Sequence, residues 1–206
     1  MAKDTRDELL RQIKDEIVGL RESPLYAERI KNKVFPVIGE GSHDAKIMFV
    51  GEAPGYYEDK EGRPFVGTAG KLLDRLLQEI GLQRSEIYIA NVLKCRPPQN
   101  RDPLPEEVEA CKPYVIRQIE IIKPRVICTL GNFATQLLLE KKVGITKVRG
   151  QSFQGKNYLV FPMLHPAAAL HRETFQASVR EDFQKLRALL DQGIPPAVSK
   201  EQMRLL

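Results

Sequence analysis

The sequence predicts an α/β fold: a three-layer αβα arrangement with a four-stranded parallel sheet between helices. Short apolar runs, typical of strands buried on both faces, alternate along the 206 residues with segments whose apolar residues recur at helical spacing. Strands that alternate with helices form parallel sheets through right-handed crossovers. The length suits one core, so we expect a single domain over residues 1–192 and a tail over residues 193–206.

The amino-terminal part of the chain is predicted to supply one helix. Thr5 and Glu8 have the spacing of a capping box, and the apolar residues that follow them form one stripe. The helix is therefore predicted over residues 5–20. Residues 23–45 contain prolines and several glycines, and we expect an irregular connection there.

The central segment runs from Lys46 to Leu77 and is predicted to be a strand, a loop and a helix. Residues 47–50 are a short apolar run, and from Thr68 the apolar residues take helical spacing until Gly81, a residue type favoured just past a helix end. The loop leaves the carboxyl end of a strand, where open α/β sheets bind their ligands. Its GRPFVGT segment has the glycine spacing of a phosphate-binding loop but lacks the required lysine, so nucleoside triphosphate binding is not expected.

The rest of the chain continues the alternation of strands and helices. Further strands are predicted over residues 87–92, 126–130 and 158–164. Pro113 is expected to break or kink the helix that follows the second strand, with a short turn before it and a longer helical piece after it. Residues 143–157 are expected to be a connection, and a last helix precedes the tail.

Polar side chains fall at the carboxyl ends of the predicted strands. These residues are Glu52, Asn91, Asn132 and His165. Because parallel strands end at one edge of a sheet, we expect all four side chains to face one crevice. A satisfied core amide is the alternative interpretation of Asn91, and a loop cap is the alternative for His165.

Charge and cysteine content limit the class of protein. Lys and Arg number 32 against 27 Asp and Glu, which gives a net charge of +5 and a pI near 9.1. A moderately basic surface permits nucleic-acid binding without establishing it. Three cysteines argue against a disulfide framework. No apolar run approaches the roughly 20 residues of a membrane span, and the amino terminus lacks the apolar core of a secretory signal, so we expect no membrane partner and a cytoplasmic location.

Several separated motifs resemble those of the family 4 uracil-DNA glycosylases. The motifs are GEAPG with ED and RPFVG downstream, the strand-end Asn91, KCRPPQNR, and HPAA after the last strand. They occur in the family's order and cover the chain from about Pro24 to Leu190. The resemblance implies removal of uracil from single- or double-stranded DNA by hydrolysis of its glycosidic bond, and we expect a monomer.

The resemblance also implies how a flipped base would be bound. Phe65 occupies the position that the family uses for stacking on uracil, although a plain core residue is the alternative. The carboxamide of Asn91 offers a donor and an acceptor that match uracil O4 and N3–H, whereas cytosine presents the reverse pair. Ala53 and Gly55 are assigned to the uracil pocket. Glu58 resembles the residue that crowds uracil C5, where the methyl group of thymine would clash.

Two residues are assigned to the chemical step. The resemblance implies that His165 donates a hydrogen bond to uracil O2, where negative charge gathers as the C1′–N1 bond stretches. Glu52 resembles the acidic residue of the first motif, whose carboxylate would position the attacking water and favour the sugar cation. A related family of uracil glycosylases carries Asp one residue later, where this chain has Ala53.

Four residues are expected to contact the rest of the DNA. Gly67 and Thr68 at a helix start are expected to offer backbone N–H groups to a phosphate. Leu170 is a candidate wedge that fills the gap left by the flipped base, with core packing as the alternative. Arg172 lies nearby in the sequence and is a candidate for a backbone phosphate.

The chain departs from the family at a metal site. Family 4 glycosylases generally hold a 4Fe–4S cluster with four cysteines. Cys95 and Cys111 match two of these, but Leu20 and Ser23 occupy the other two positions, and Cys128 lies inside a predicted strand. Because neither Leu nor Ser replaces a thiolate well, we expect no metal and no cofactor, with Cys95 and Cys111 as remnants of the cluster ligands.

Three other functions stay open at this point. The protein could bind or covalently trap uracil-containing DNA without turnover, excise other deaminated bases such as hypoxanthine, or be an α/β nucleotide-binding domain of unrelated function. Trapping relatives carry a basic, histidine-containing insertion after the second strand, and residues 94–105 contain no histidine. Oligonucleotides that bear uracil, hypoxanthine or mismatched thymine would distinguish the enzymes.

Overall fold

The computed structural model describes residues 2–171 and 173–193. The described helices are α1 (Ala2–Val18), α2 (Tyr26–Lys31), α3 (Tyr56–Glu61), α4 (Thr68–Glu79), α5 (Pro105–Ile122), α6 (Asn132–Leu139), α7 (Ile145–Val148), α8 (Pro166–His171) and α9 (Thr174–Asp191). The described strands are β1 (Glu40–Gly41), β2 (Ile47–Gly51), β3 (Tyr88–Asn91), β4 (Val126–Leu130), β5 (Phe153–Gln154) and β6 (Leu159–Met163). Except for Gly193, the predicted tail over residues 193–206 lies outside the described residues.

One sheet, with the strand order β1-β3-β2-β4-β6-β5, runs through the described part of the chain. The central strands β3, β2, β4 and β6 pair in parallel, and the α/β class is confirmed. The prediction of four strands in total was wrong, because β1 and β5 add antiparallel edges to the sheet. Each of these edge strands has only two residues, which is too short for an alternating pattern to be visible in the sequence.

Helices cover both faces of the sheet. Successive strand residues point to opposite faces, so Phe49 packs with Phe183 of α9, and the two ring centroids lie 6.1 Å apart. On the other face Met48 packs in one core with Ile13 of α1 and Val115 of α5. Because the central strands are buried on both faces, their sequences are nearly continuous apolar runs. No helix within the described ranges is long and apolar enough to cross a membrane.

Helix α5 is continuous through Pro113, so the predicted break was wrong. Pro113 has no N–H group to donate to the preceding turn. However, Cys111 and Val115 on its two sides are buried in the same core, and this tertiary packing outweighs the local preference. Helix α1 begins at Ala2, so Thr5 lies inside the helix and not at its cap. The expected connection over residues 143–157 also contains α7 and β5.

The ends of β2 and β3 stay paired past their last residues. Gly51 and Asn91 are register partners at these ends. The N–H of Val92 donates to the Gly51 carbonyl at 2.9 Å, and the N–H of Leu93 donates to the Glu52 carbonyl at 2.9 Å. The loops after the two strands therefore leave the carboxyl end of the sheet together, and Glu52 is one residue past Gly51, the register partner of Asn91.

Candidate active site

Gly51, the last residue of β2, brings the side chains of Asn91 and Phe65 together. A Cβ atom on Gly51 would lie 2.3 Å from Asn91 Oδ1 and 2.8 Å from the Phe65 ring. Both side chains are buried, with 1% of Asn91 and 5% of Phe65 exposed. Only glycine leaves room for the amide and the ring at this point, so the two side chains can pack against each other only because residue 51 is glycine.

Asn91 carries a buried hydrogen-bond acceptor. Its Oδ1 atom has no hydrogen-bond partner among residues 2–171 and 173–193. An unpaired buried polar atom costs about 1–3 kcal/mol. Because most buried polar groups in native proteins are paired, this oxygen is well suited to accept an N–H group from a ligand.

The buried side chain of Lys94 holds the backbone at Asn91. Lys94 is 0% exposed, and its Nζ atom donates to the Asn91 carbonyl at 2.8 Å. The same Nζ donates to Gln118 Oε1 at 2.7 Å and to the Ile38 carbonyl at 3.3 Å. Gln118 in turn donates to the Tyr88 hydroxyl at 3.2 Å. Burial lowers the pKa of Lys94 to about 7, and three oxygen acceptors match the three hydrogens of its ammonium form.

The Phe65 ring packs on the imidazole ring of His165 at the crevice. The two ring centroids lie 5.4 Å apart and the planes are inclined by 27°. The φ angle of Phe65 is 53°, in the left-handed region that residues other than glycine seldom adopt. Its carbonyl oxygen lies 1.8 Å from the position of a Cβ atom on Gly70, so α4 tolerates this turn only because Gly70 has no side chain. Backbone in such a sparsely populated region clusters at functional sites.

The hydrogen bonding of His165 fixes the position of its proton. The N–H of Ala167 donates to His165 Nδ1 at 3.1 Å, so the hydrogen of the neutral ring is on Nε2, which becomes a donor. Burial lowers the pKa of His165 to about 4, although the nearby Glu58 opposes this, and the ring is neutral at pH 7. The preceding N–H, of Leu164, donates to Asp182 Oδ2 at 2.9 Å and anchors the start of the loop.

Glu52 is a partly buried carboxyl group at the end of β2. Burial, followed by the charge of Asp102, raises the pKa of Glu52 to about 7. A carboxylate with a pKa near neutrality can accept a proton from water at the working pH. Perturbed carboxyl groups in a crevice are candidates for general bases.

The Glu58 carboxylate binds the backbone just before α4. Its Oε1 atom accepts the N–H of Val66 at 3.0 Å and the N–H of Gly67 at 2.9 Å. A Cβ atom on Gly55 would lie 2.7 Å from Glu58 Oε2, so Gly55 lies directly against this carboxylate. The Gly67 N–H was expected to bind a phosphate, but in the structure it donates to the Glu58 carboxylate. The negative charge of Glu58 therefore lies at the amino-terminal end of α4, where an anion is stabilised by the helix dipole. Thr68 is the first residue of α4.

The remaining predicted residues lie in different surroundings. Ala53 is partly buried against the core that contains α1 and α5. Leu170 on α8 is 42% exposed, and Arg172 lies outside the described residues. Asn132 is turned toward α7, because its Oδ1 atom accepts the N–H of Ile145 at 2.8 Å. The expectation that Asn132 shares the crevice with the other strand-end residues was therefore wrong.

Two residues that support the site were not selected from the sequence: Lys94 and Arg84. Lys94 had a signal, since it follows Asn91 by three residues. Arg84 donates to the Phe65 carbonyl at 3.1 Å across 19 residues of sequence. No local pattern indicates such a contact.

The residues at the family's cluster positions do not fit an iron–sulfur cluster. Cys95 and Cys111 are buried, and burial together with the neighbouring Cys111 raises the pKa of the Cys95 thiol to about 12. Ser23 Oγ accepts the N–H of Leu25 at 3.4 Å. The guanidinium of Arg29, whose side chain is buried, lies beside Cys95. The aliphatic side chain of Leu20, a bonded hydroxyl and a neighbouring cation are unsuitable where each iron needs a thiolate. In the part of the chain that the structure describes, no group of three or more His, Cys, Asp or Glu residues could hold a metal ion.

The fold and the crevice define a class of protein. The family model described as the uracil DNA glycosylase superfamily matches residues 38–187, a range that includes the whole sheet and the crevice residues. Similarity to individual proteins narrows the class. The chain is 49% identical to the type-4 uracil-DNA glycosylase of Sulfurisphaera tokodaii, over 87% of this chain and 84% of that protein. The type-4 enzyme of Saccharolobus solfataricus is 48% identical, over 86% and 85% of the two chains, and that of Archaeoglobus fulgidus is 45% identical, over 91% and 96%. The chain belongs to the type-4 uracil-DNA glycosylase family, which confirms the resemblance seen in its motifs.

Proposed function

We propose that this protein removes uracil from DNA by hydrolysing the N-glycosidic bond and leaving an abasic site. The observation that carries the proposal is the buried Oδ1 atom of Asn91, which lacks a partner among the described residues and lies beside the Phe65 ring. The type-4 relatives are named for the same activity. A base in a duplex cannot reach such a crevice, so the uracil must be flipped out of the helix or come from single-stranded DNA.

Asn91 and Phe65 supply recognition of the base in this proposal. Asn91 Oδ1 accepts N3–H of uracil and Nδ2 donates to O4. Cytosine presents an unprotonated N3 and an amino group, so both contacts are mismatched, and such mismatches give rejection of about 10⁴-fold or more. Stacking on Phe65 contributes roughly 1–3 kcal/mol and offsets part of the cost of flipping.

Exclusion of thymine is assigned to Glu58. Its carboxylate is held by the N–H groups of Val66 and Gly67 and lies against Gly55, which supports a rigid wall. A methyl group at C5 would meet this wall, whereas the hydrogen of uracil would not. Ala53 and Gly55 keep the loop beside it small.

His165 and Glu52 supply the chemistry. As the C1′–N1 bond breaks, its electron pair stays with uracil, chiefly on O2, and His165 donates Nε2–H to that oxygen. The sugar becomes cationic, and the ionised Glu52 stabilises it while holding a water molecule. When the water oxygen bonds to C1′, its proton passes to Glu52. The products are the uracil anion and an abasic sugar.

Residues beside the crevice are proposed to contact the DNA on either side of the flipped uracil. Leu170 is exposed on α8 and would enter the gap left by the flipped base. A backbone phosphate would bind near Thr68, with the Gly67 N–H shared with or released from Glu58, and Arg172 is assigned to a backbone phosphate from its position in the sequence alone. Monomeric state and cytoplasmic location stay predictions of the sequence.

We also propose that the protein works without a cluster or other metal. The Arg29 Nη2 atom donates to the Val18 carbonyl at 2.6 Å while the guanidinium lies beside Cys95. This contact joins the end of α1, α2 and the segment after β3, and so links the connection that contains Leu20 and Ser23 to Cys95, although not to Cys111, which lies on α5.

Oligonucleotides with a single uracil, hypoxanthine or mismatched thymine test the proposed function. We expect alkali-labile abasic sites from uracil substrates, many turnovers per enzyme, and little product from the other two. Absence of product from uracil would overturn the proposal. A protein–DNA adduct that persists on a denaturing gel would indicate trapping without turnover, and faster release of hypoxanthine would reassign the substrate.

A further inference from the structure

Arg84 binds the backbone of the turn that carries Phe65. It lies in a short 3₁₀ turn over Arg84–Glu86, between α4 and β3. Its Nη1 atom donates to the Phe65 carbonyl at 3.1 Å, and its Nη2 atom donates to the Pro64 carbonyl. Nη1 also donates to Asp74 Oδ1 at 3.0 Å, which orients the guanidinium from α4. One planar side chain therefore holds two successive carbonyl groups.

The backbone that Arg84 holds is in an unfavourable conformation. Phe65 has a φ angle of 53°, which a side chain bearing Cβ adopts at a cost in free energy. Such conformations persist only where surrounding contacts impose them. Here the contacts are the Arg84 donors on one side and the close approach of Gly70 on the other. Without the arginine, the peptide groups on both sides of Phe65 would be free to relax toward an ordinary φ.

We propose that Arg84 is a positioning residue for base binding: by holding the Pro64 and Phe65 carbonyls, it fixes the Phe65 ring in the orientation that stacks on the flipped base. The inference rests on the proposed function, because it needs Phe65 to contact the base. Arg84 itself touches neither the base nor the reacting atoms. Its effect should therefore appear in productive binding and disappear when the Phe65 ring is removed.

Arg63 provides a matched control. Arg84 Nε lies 3.6 Å from Glu40, and Arg63 donates to both oxygens of the same carboxylate at 2.8 Å. The Arg63 side chain is 54% exposed. Arg63→Gln thus removes the same charge from the same neighbourhood without removing the hydrogen bonds to the Phe65 turn.

Single-turnover kinetics at varied enzyme concentration give two quantities. The enzyme concentration that half-saturates the DNA reports productive binding, and the maximal rate reports the chemical step. We expect Arg84→Gln to raise the half-saturating concentration about tenfold, equivalent to about 1.4 kcal/mol, with less than about threefold change in the maximal rate. Arg84→Lys keeps the charge but cannot donate to two carbonyls as a planar fork, and an intermediate value is expected. Arg63→Gln should stay within about twofold of the parent. Thermal unfolding of each variant checks that the protein remains folded.

A double-mutant cycle shows whether Arg84 acts through Phe65. In the Phe65→Ala background, Arg84→Gln should add less than about twofold to the loss. The inference would be overturned if Arg84→Gln raised the half-saturating concentration about tenfold in the Phe65→Ala protein as well. It would also be overturned if Arg84→Gln had no effect in the protein that keeps Phe65. If Phe65→Ala itself keeps full activity, the proposed stacking role of Phe65 fails. If Phe65→Ala loses activity but the Arg84 variants do not, only the positioning role of Arg84 fails.

A spectroscopic measurement does not depend on turnover. The chain contains no Trp, so Phe65→Trp supplies a single reporter at the stacking position. A uracil-containing oligonucleotide should quench its emission when the indole stacks on the base. Adding Arg84→Gln should reduce this quenching at saturating DNA, whereas adding Arg63→Gln should not. Equal quenching in all three proteins would contradict the inference.

Discussion

The aromatic ring of Phe65 lies against the imidazole ring of His165, with centroids 5.4 Å apart and planes inclined by 27°. The two residues come from the loops after β2 and β6, which are separated by β4 in the sheet. In the proposed function the base stacks on Phe65 and accepts a hydrogen bond from His165. The contact therefore brings together the residue assigned to binding of the base and the residue assigned to the chemical step.

This pairing predicts different kinetic defects for the two residues. Phe65→Ala should raise the half-saturating enzyme concentration about tenfold, because stacking exists before the bond breaks. His165→Ala should lower the maximal single-turnover rate about 10²–10³-fold, because the hydrogen bond to O2 strengthens in the transition state. Equal effects of both variants on binding and on chemistry would contradict the assignment.

Asn91→Asp should lose about 10⁴-fold in uracil excision, because a carboxylate has no N–H group for uracil O4. Weak cytosine excision is expected at low pH, where a protonated carboxyl reverses the donor pattern. Asn132→Asp is the matched control, since Asn132 also follows a strand but its Oδ1 already accepts a backbone N–H. That control should stay within about twofold of the parent. Full uracil activity in Asn91→Asp would remove Asn91 from the pocket.

The pH dependence of excision should follow Glu52. Its pKa is raised to about 7 by burial and by Asp102, so the required carboxylate is lost as the pH falls below 7. The rate should drop about tenfold per pH unit there and level off above 7. His165, with a pKa lowered to about 4, stays neutral over this range and adds no second inflection.

Two variants test this pH profile. Asp102→Asn should move the inflection to lower pH, because it removes the second cause of the Glu52 shift while leaving the burial. Glu52→Gln should give a lower and flat profile. A Glu52→Gln protein that keeps the original inflection would show that another group titrates.

Lys94→Met should destabilise the protein by about 2–4 kcal/mol, because it removes the Lys94 donor from the buried Asn91 carbonyl and from Gln118 Oε1, whereas the Ile38 carbonyl still accepts the Gln118 amide. Urea unfolding measures the loss. Lys112→Met on α5 removes an exposed lysine with one weak ion pair to Glu109, and a change within about 0.5 kcal/mol is expected. Equal stability of the two variants would mean that the Lys94 network contributes little.

Purified protein should be colourless, contain no stoichiometric iron and still excise uracil. The reason is the donor set, since Leu20 and Ser23 supply no thiolate and Arg29 places a cation beside Cys95. Expression with added iron and anaerobic reconstitution give a cluster the best chance to form. A brown protein with stoichiometric iron after either treatment would refute the proposal.

The sequence by itself determined the class of fold and the end of the sheet at which the candidate site lies. The central strands are buried on both faces, so each is a run of apolar residues that a local pattern reveals. Glu52 directly follows β2, Asn91 is the last residue of β3, and His165 comes two residues after β6. The carboxyl ends of parallel strands lie at one end of the sheet, so residues at these positions come close together. These features depend on neighbours along the chain, which is why they could be predicted.

Only the tertiary structure decided the features that depend on distant partners. Core packing on both sides of Pro113 keeps α5 helical. The Asn132 side chain accepts the N–H of Ile145 in α7, and the Glu58 carboxylate accepts the N–H of Gly67. Burial sets the pKa of Glu52 and of His165, and it depends on atoms brought together by the whole fold. The contact between Arg84 and Phe65 likewise joins segments that only the folded chain brings together, and no periodicity in the sequence encodes it.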